Sequence, residues 1–352
     1  MALIRTRKDV GGIFMKRRSW AVDMWKFIAA AVIMTFHIYE IDVARPYPTE
    51  MNGWVWADFF FIITGYYTYR HLCGSDEGIW QYVFRKFKVI FPYTAIAILV
   101  QYMIDAMKAY HDGIRAMAEV FLDMPLELVY LHPEPRIYPL WFLTAMFIAL
   151  PVYGLIIRIK DKRVFPVMMV FPLIFYMYYY PVQGNNTVYV VIRALAGFMA
   201  GGGIALASAW AGRKYEILLR KKRLLSVLEA LFLIIPLIMV IINANILPSA
   251  IILFFAAGLS ILLPGYGCRK ERDGRIINYL GALSLPVFIW HTVIGRGMMS
   301  AFHIFCDRWG LFNMPSVTVR IAVYYGLTFI IAAISYWAVE GLRGAIGRKQ
   351  AS

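Results

Sequence analysis

Apolar residues fall in runs near twenty along most of the chain, and short polar clusters separate them. At about 1.5 Å of rise per residue, a helix of that length matches the hydrocarbon thickness of a bilayer. Ten runs stand out, at roughly 21–41, 54–70, 89–107, 139–158, 164–181, 188–210, 224–242, 246–264, 278–298 and 318–340. They predict an all-α fold, a polytopic integral membrane helical bundle of about ten transmembrane helices. A basic segment, 1–20, precedes the transmembrane domain at 21–340, and residues 341–352 form a short tail. The longest connection is 108–138. There Glu119, Asp123 and Glu127 recur every four residues and predict the solvated face of an interfacial helix. Phe121, Leu122, Leu126 and Val129 would face the membrane from the same segment. The other reading of this acidic face is a substrate guide.

Composition sharpens the picture. The chain is 61% apolar and 16% charged, against about half and a quarter in ordinary globular domains. A net charge of +15 would suggest a nucleic-acid partner for a soluble protein, but its distribution excludes that reading. With loops assigned alternately to two sides, 27 Lys and Arg fall on the side of the N-terminus and 7 on the other. The positive-inside rule then places both termini in the cytoplasm of a multi-pass cell-membrane protein. One missed or invented helix would scramble this alternation. Cys73, Cys268 and Cys306 form no disulfide framework, and no metal-ligand spacing occurs, so no metal is expected. The first run carries Lys26 and His37 and lacks a small-residue cleavage site, which reads as a retained helix and not a secretory signal. Gly197 and Gly201 make a G-x-x-x-G pattern inside a run, a signal of close helix packing. It is no phosphate loop, since no strand precedes it and no Lys-Ser/Thr follows.

Ionisable groups inside a bilayer are costly and usually mark a site. Helix direction and rise place His37, Asp58, Arg193 and His291 in an outer layer, and Asp23, Lys26, Glu229 and Glu340 in an inner one. Lys26 and His37 are eleven residues apart, close to three turns, so they share a helix face roughly 16 Å apart. Each group also has a plain structural reading. Lys26 can pair with Asp23 three residues earlier, Asp58 and Arg193 can neutralise each other, and His291 can be a hydrogen-bonded packing histidine. His37 to Asp42 spells H-x-x-x-x-D, a pattern short enough to arise by chance.

The chain resembles the integral-membrane acyltransferase-3 family along nearly its full length. Lys26 and His37 fall on that family's opening pattern, a basic residue eleven positions before a histidine. "ADFFFIITGYY" is similar to its Asp-x-Phe-Phe-x-x-Ser-Gly segment, with Asp58 and Gly65 in register and Thr64 at the serine. "PLWFLTAMF" matches through Trp141, and "IRALAGFMAG" through Arg193 and Gly201. "LSLPVFIWHTVI" matches the late Ser-x-x-x-Tyr-x-x-His helix through Ser284 and His291, with Phe288 in place of the tyrosine. "ISYWAVEG" matches through Glu340. Lys26 stands where many members carry Arg, so a bidentate clamp on a phosphate gives way to a single charged contact. No hydrolase-like domain follows the tenth run, which reads as a stand-alone form.

The resemblance implies an O-acyltransferase that moves an acyl group, often acetyl, from acyl-CoA to a hydroxyl of an extracytoplasmic saccharide or envelope molecule. It implies no tightly bound cofactor, with acyl-CoA as donor substrate and the lipid bilayer as surroundings. On this reading His37 is the general base, Asp58 orients it or the acceptor, and Arg193 stabilises developing negative charge. Lys26, Thr64, Trp141 and His291 bind substrate, and Asp23 and Glu340 complete the inner polar layer. Two other classes compete, a transporter or flippase and a non-catalytic sensor on the same fold. No internal repeat of the kind many transporters show is visible.

Overall fold

The computed structural model describes residues 20–41, 53–132, 134–159, 163–179, 187–219, 222–242, 251–252, 255, 258, 275–308, 310 and 313–351. Helices dominate them, and no strand occurs among the described residues. The main helices are α1 (Trp20–Phe36), α2 (Trp56–Gly74), α3 (Ile79–Ala109), α4 (Ile114–Glu119), α5 (Met124–Leu128) and α6 (Leu140–Arg158). They continue with α7 (Val164–Met168), α8 (Val170–Ile174), α9 (Thr187–Leu219), α10 (Lys222–Ile241), α11 (Arg275–Phe302) and α12 (Val317–Ala351).

Among the described residues, five helices are long and apolar enough to cross a membrane: Ile79–Ala109, Leu140–Arg158, Thr187–Ala207, Arg275–Cys306 and Val317–Ala345. Each overlaps an expected run. The runs at 21–41, 54–70 and 224–242 coincide with α1, α2 and α10. Most of 246–264 lies outside the described residues. The run at 164–181 is not one α-helix. It breaks at Met169 between α7 and α8, and passes into a π turn at Phe175–Tyr179. Pro166 and Pro172 explain the fragmentation, because each lacks an N–H and crowds the preceding turn. α12 runs on through the expected tail to Ala351.

The chain divides into two compact units. One comprises Met1–Ala29, Met51–Arg85 and Ala145–Gly281, and the other Ala30–Glu50, Lys86–Thr144 and Ala282–Ser352.

In the first unit α2 and α9 approach backbone to backbone. A Cβ built at Gly201 would stand 2.0 Å from the Ile62 carbonyl oxygen, and one at Gly65 would stand 2.2 Å from that of Phe198. Small residues at such crossings replace the hydrophobic drive that helices lose in lipid with close dispersion contact. Around the crossing, Phe61 and Phe198 meet edge to face at 5.8 Å, and the buried Tyr153 hydroxyl donates to the Gly65 carbonyl at 3.1 Å. A polar knot closes the turn between α2 and α3. Arg85 donates to both oxygens of Glu77, His71 lies 2.5 Å from the same carboxylate, and Arg158 caps the Ser75 and Glu77 carbonyls.

In the second unit, α12 holds the end of α1 and the turn after it. Tyr324 donates to the Met34 carbonyl at 3.1 Å, the Tyr325 and Thr35 hydroxyls lie 2.5 Å apart, and Arg320 donates to the Ile41 carbonyl at 3.2 Å. The connection after α3 folds as α4, a 3₁₀ turn at Val120–Asp123 and α5. Its expected solvated acidic face holds only in part. The side chains of Glu119 and Asp123 are 57% and 49% exposed, but Glu127 is buried. The Tyr102 hydroxyl donates to Glu127 at 2.8 Å, and the Ile137 amide at 3.0 Å. These two donors satisfy the carboxylate, which makes its burial affordable and pins the connection to α3. Leu122, Leu126 and Val129 are exposed, as an interfacial helix requires.

Candidate functional site

α1 ends at the first candidate residue. The His37 amide is shared between the Ile33 and Met34 carbonyls at 3.2 Å each, and the chain tightens into a 3₁₀ turn at Ile38–Ile41. Bifurcated amides of this kind mark helix ends. The geometry aims the His37 ring inward, where it is buried. Its Nδ1 lies 2.9 Å from the Ile33 carbonyl oxygen, so Nδ1 carries the proton and donates.

His291 reaches the same nitrogen from α11. It is fully buried, and its own Nδ1 lies 3.2 Å from the Val287 carbonyl oxygen. Nδ1 of His291 is therefore the donor there, and its Nε2 holds a lone pair. That Nε2 lies 3.3 Å from Nδ1 of His37. One N–H of His37 thus serves two acceptors, a carbonyl and an imidazole. By elimination the lone pair of neutral His37 is on Nε2, which is buried and has no hydrogen-bond partner among the described residues. A buried polar atom without a partner calls for a reason.

Two half-exposed tyrosines flank this ring, Tyr138 at 5.3 Å and Tyr39 at 5.7 Å between centroids. Their positions follow from one arginine. Arg296 pairs with Glu40 at 3.1 Å, and also donates to the Arg136 carbonyl at 2.5 Å, two residues before Tyr138. Phe288, at the position of the resemblance's tyrosine, packs 6.1 Å from His291 and 5.5 Å from Phe142. Ser284 is buried one turn before it, and Trp141 is half-buried in the first turn of α6. Glu340 accepts from the Tyr93 hydroxyl at 3.2 Å and pairs with Arg343.

The first unit holds the other candidates. Asp58 and Arg193 are both buried and form an ion pair. The Tyr176 hydroxyl donates to Asp58 at 3.3 Å, and Arg193 donates to the Trp54 carbonyl at 2.8 Å. Lys26 and Asp23 pair at 2.8 Å, the lysine 28% exposed and the aspartate buried. Gly281 admits that carboxylate, since a Cβ there would meet the Asp23 Cβ at 2.3 Å. Thr64 is half-buried on α2. Asp42 and the side chain of Glu229 lie outside the described residues.

Sequence patterns brought His37 and His291 to one layer but did not pair them. They missed Glu40, Tyr39, Tyr138 and Tyr176. Glu40 had one usable signal, its place one turn after His37. The carbonyls of Ile33 and Val287 had none, because backbone acceptors leave no trace in residue identity. No group of three His, Cys, Asp or Glu that would hold a metal occurs among the described residues.

A family model described as an acyltransferase domain, Acyl_transf_3, matches residues 19–339. The chain belongs to this acyltransferase family. The match takes in every candidate except Glu340, one residue past its end. No curated relative and no solved structure matches the chain. With five helices apolar enough to span a bilayer among the described residues, this acyltransferase is a membrane protein.

Proposed function

We propose that the protein is an O-acyltransferase of the cell membrane that moves an acyl group, acetyl in the simplest case, from acyl-CoA to a hydroxyl of an extracytoplasmic saccharide or envelope molecule. The observation that carries this is the unpartnered lone pair on Nε2 of buried His37. A general base needs a neutral nitrogen whose lone pair is not already committed. The acceptor hydroxyl oxygen forms a bond to the thioester carbonyl carbon as its proton passes to Nε2. The carbon–sulfur bond breaks, and the departing CoA thiolate takes the proton from Nε2. Tyr39 and Tyr138, part-exposed beside the ring, are the side chains that meet an incoming acceptor first.

Lys26, eleven residues earlier in the chain, holds the phosphate end of the donor, and Thr64 and Trp141 serve as substrate-side residues. Asp58 and Arg193 take part through orientation and charge stabilisation, or hold the fold by neutralising each other. The basic-residue asymmetry supports ten spans with both termini cytoplasmic. The test is transfer of labelled acetyl from acetyl-CoA to native envelope saccharides in reconstituted vesicles. His37→Ala should lower turnover by about 10²–10⁴-fold, as loss of a general base does. Transport of an unmodified saccharide with no label transferred would make the protein a carrier.

A further inference from the structure

We infer that His291 is the positioning residue for His37, a buried imidazole whose lone pair orients the base and stabilises the positive charge it acquires. The inference rests on the acyltransferase reading for its catalytic consequence but not for its geometry. Nε2 of His291 accepts from Nδ1 of His37 at 3.3 Å, while the Val287 carbonyl at 3.2 Å keeps the His291 proton on the far nitrogen. His291 therefore presents an acceptor and no donor toward the base. When His37 takes the acceptor's proton on Nε2, its Nδ1–H becomes a charged donor, and bonds to charged groups are roughly twice as strong as neutral ones. The two partners of that N–H, the Ile33 carbonyl and His291, then bind the imidazolium better than the neutral ring. This is differential binding of the charged state, which lowers the barrier without changing ground-state affinity. A carboxylate fills the same place in a Ser-His-Asp triad. A neutral imidazole adds no net charge at so buried a position.

His291 is fully buried, with Phe288 at 6.1 Å between ring centroids. It reaches the chemistry through His37 and not by touching substrate. Its replacement should therefore act on kcat and leave the KM of the acceptor unchanged. His291→Phe keeps an aromatic ring but removes the acceptor, and should lower kcat by about a hundredfold, the usual cost of misplacing a reacting group by about 1 Å. His291→Gln carries an oxygen near the position of Nε2 and should restore most of that loss.

A second measurement needs no turnover. Nitrogen-15 spectra of histidine-labelled protein in nanodiscs should show wild-type His37 protonated on Nδ1 and bare on Nε2, with that pattern retained in His291→Gln. The inference is overturned if Nε2 of His37 carries the proton in the neutral wild-type ring. It is also overturned if His291→Phe keeps wild-type kcat or loses activity through acceptor KM alone. If the Phe variant does not fold, the Gln variant and the wild-type spectra decide. Wild-type protein that transfers no acyl group would refute the acyltransferase reading, while the spectra would still decide the histidine pair.

Discussion

The Arg193 guanidinium closes on both carboxylate oxygens of Asp58, Nε at 3.1 Å from each and one terminal nitrogen at 2.5 Å from Oδ2. This pair joins α2 to α9 at buried positions, and the Arg193 guanidinium also lies 5.0 Å from the Trp54 ring centroid. Two charges so placed cancel, but each alone is costly.

Removing one partner should therefore cost more than removing both. Asp58→Asn and Arg193→Met should each destabilise the protein by about 3–5 kcal/mol, because an uncompensated charge stays buried. The double variant should recover most of that loss, and thermal unfolding in nanodiscs measures it. Its activity separates the two roles left open. A double variant that folds and turns over has lost only a structural pair, whereas one that folds and does not turn over has lost a catalytic group.

The crossing of α2 and α9 has no room for a methyl group. Gly201→Ala places a Cβ against the backbone of Ile62 and Tyr66, which cannot swing away as a side chain would. Overpacking of this kind costs about 1–3 kcal/mol. Gly326→Ala, on α12, meets nothing within 4 Å and should leave stability equal or slightly raised. Equal melting temperatures for Gly201→Ala and wild type would show that the helices do not touch there.

Much of this arrangement was legible in the chain. The G-x-x-x-G pattern at Gly197 and Gly201 foretold a close crossing, since only small residues permit it. The depth of His37 and His291 put them in one layer, because helix rise converts position into height. What failed had physical causes. Four-residue spacing exposed Glu127 on paper, but Tyr102, 25 residues away in sequence, supplies a donor that lets it be buried. Apolar content alone made 164–181 a helix, although Pro166 and Pro172 were visible breakers. The link between Arg296 and the 136–138 segment depends on a backbone carbonyl, which no side-chain pattern reveals.

Glu77 should give the turn between α2 and α3 an acid limit. Hydrogen bonds from Arg85, with a further contribution from His71, lower its carboxyl from 4.5 to about 2. A depressed carboxylate contributes stability above its unfolded pKa and loses it as the pH falls through the folded one. The contribution is full above about pH 4.5 and fades between there and about pH 2. The knot faces solvent, so salt should weaken it. The difference in melting temperature between wild type and Glu77→Gln should be present at pH 6 and shrink toward pH 3. A difference that stayed constant across that range would detach it from Glu77 ionisation.

Lys26 permits the clearest separation of ligand from packing. It pairs with Asp23 at 2.8 Å, which alone would explain a lysine at this depth. Yet the aspartate is buried while Lys26 is 28% exposed, and an ammonium has three protons to give. A cation held by one carboxylate and still open to its surroundings can also meet a phosphate. Lys26→Met should then weaken acyl-CoA binding and raise its KM. Lys26→Arg should retain much of the function, since the charge persists and the planar fork suits phosphate. The double change Lys26→Met with Asp23→Asn leaves no unpaired buried charge, so it should restore folding. Acyl-CoA affinity measured across wild type and these three variants decides the role. Folding restored with affinity still low assigns Lys26 to the donor, whereas recovery of both leaves it the counter-charge of Asp23.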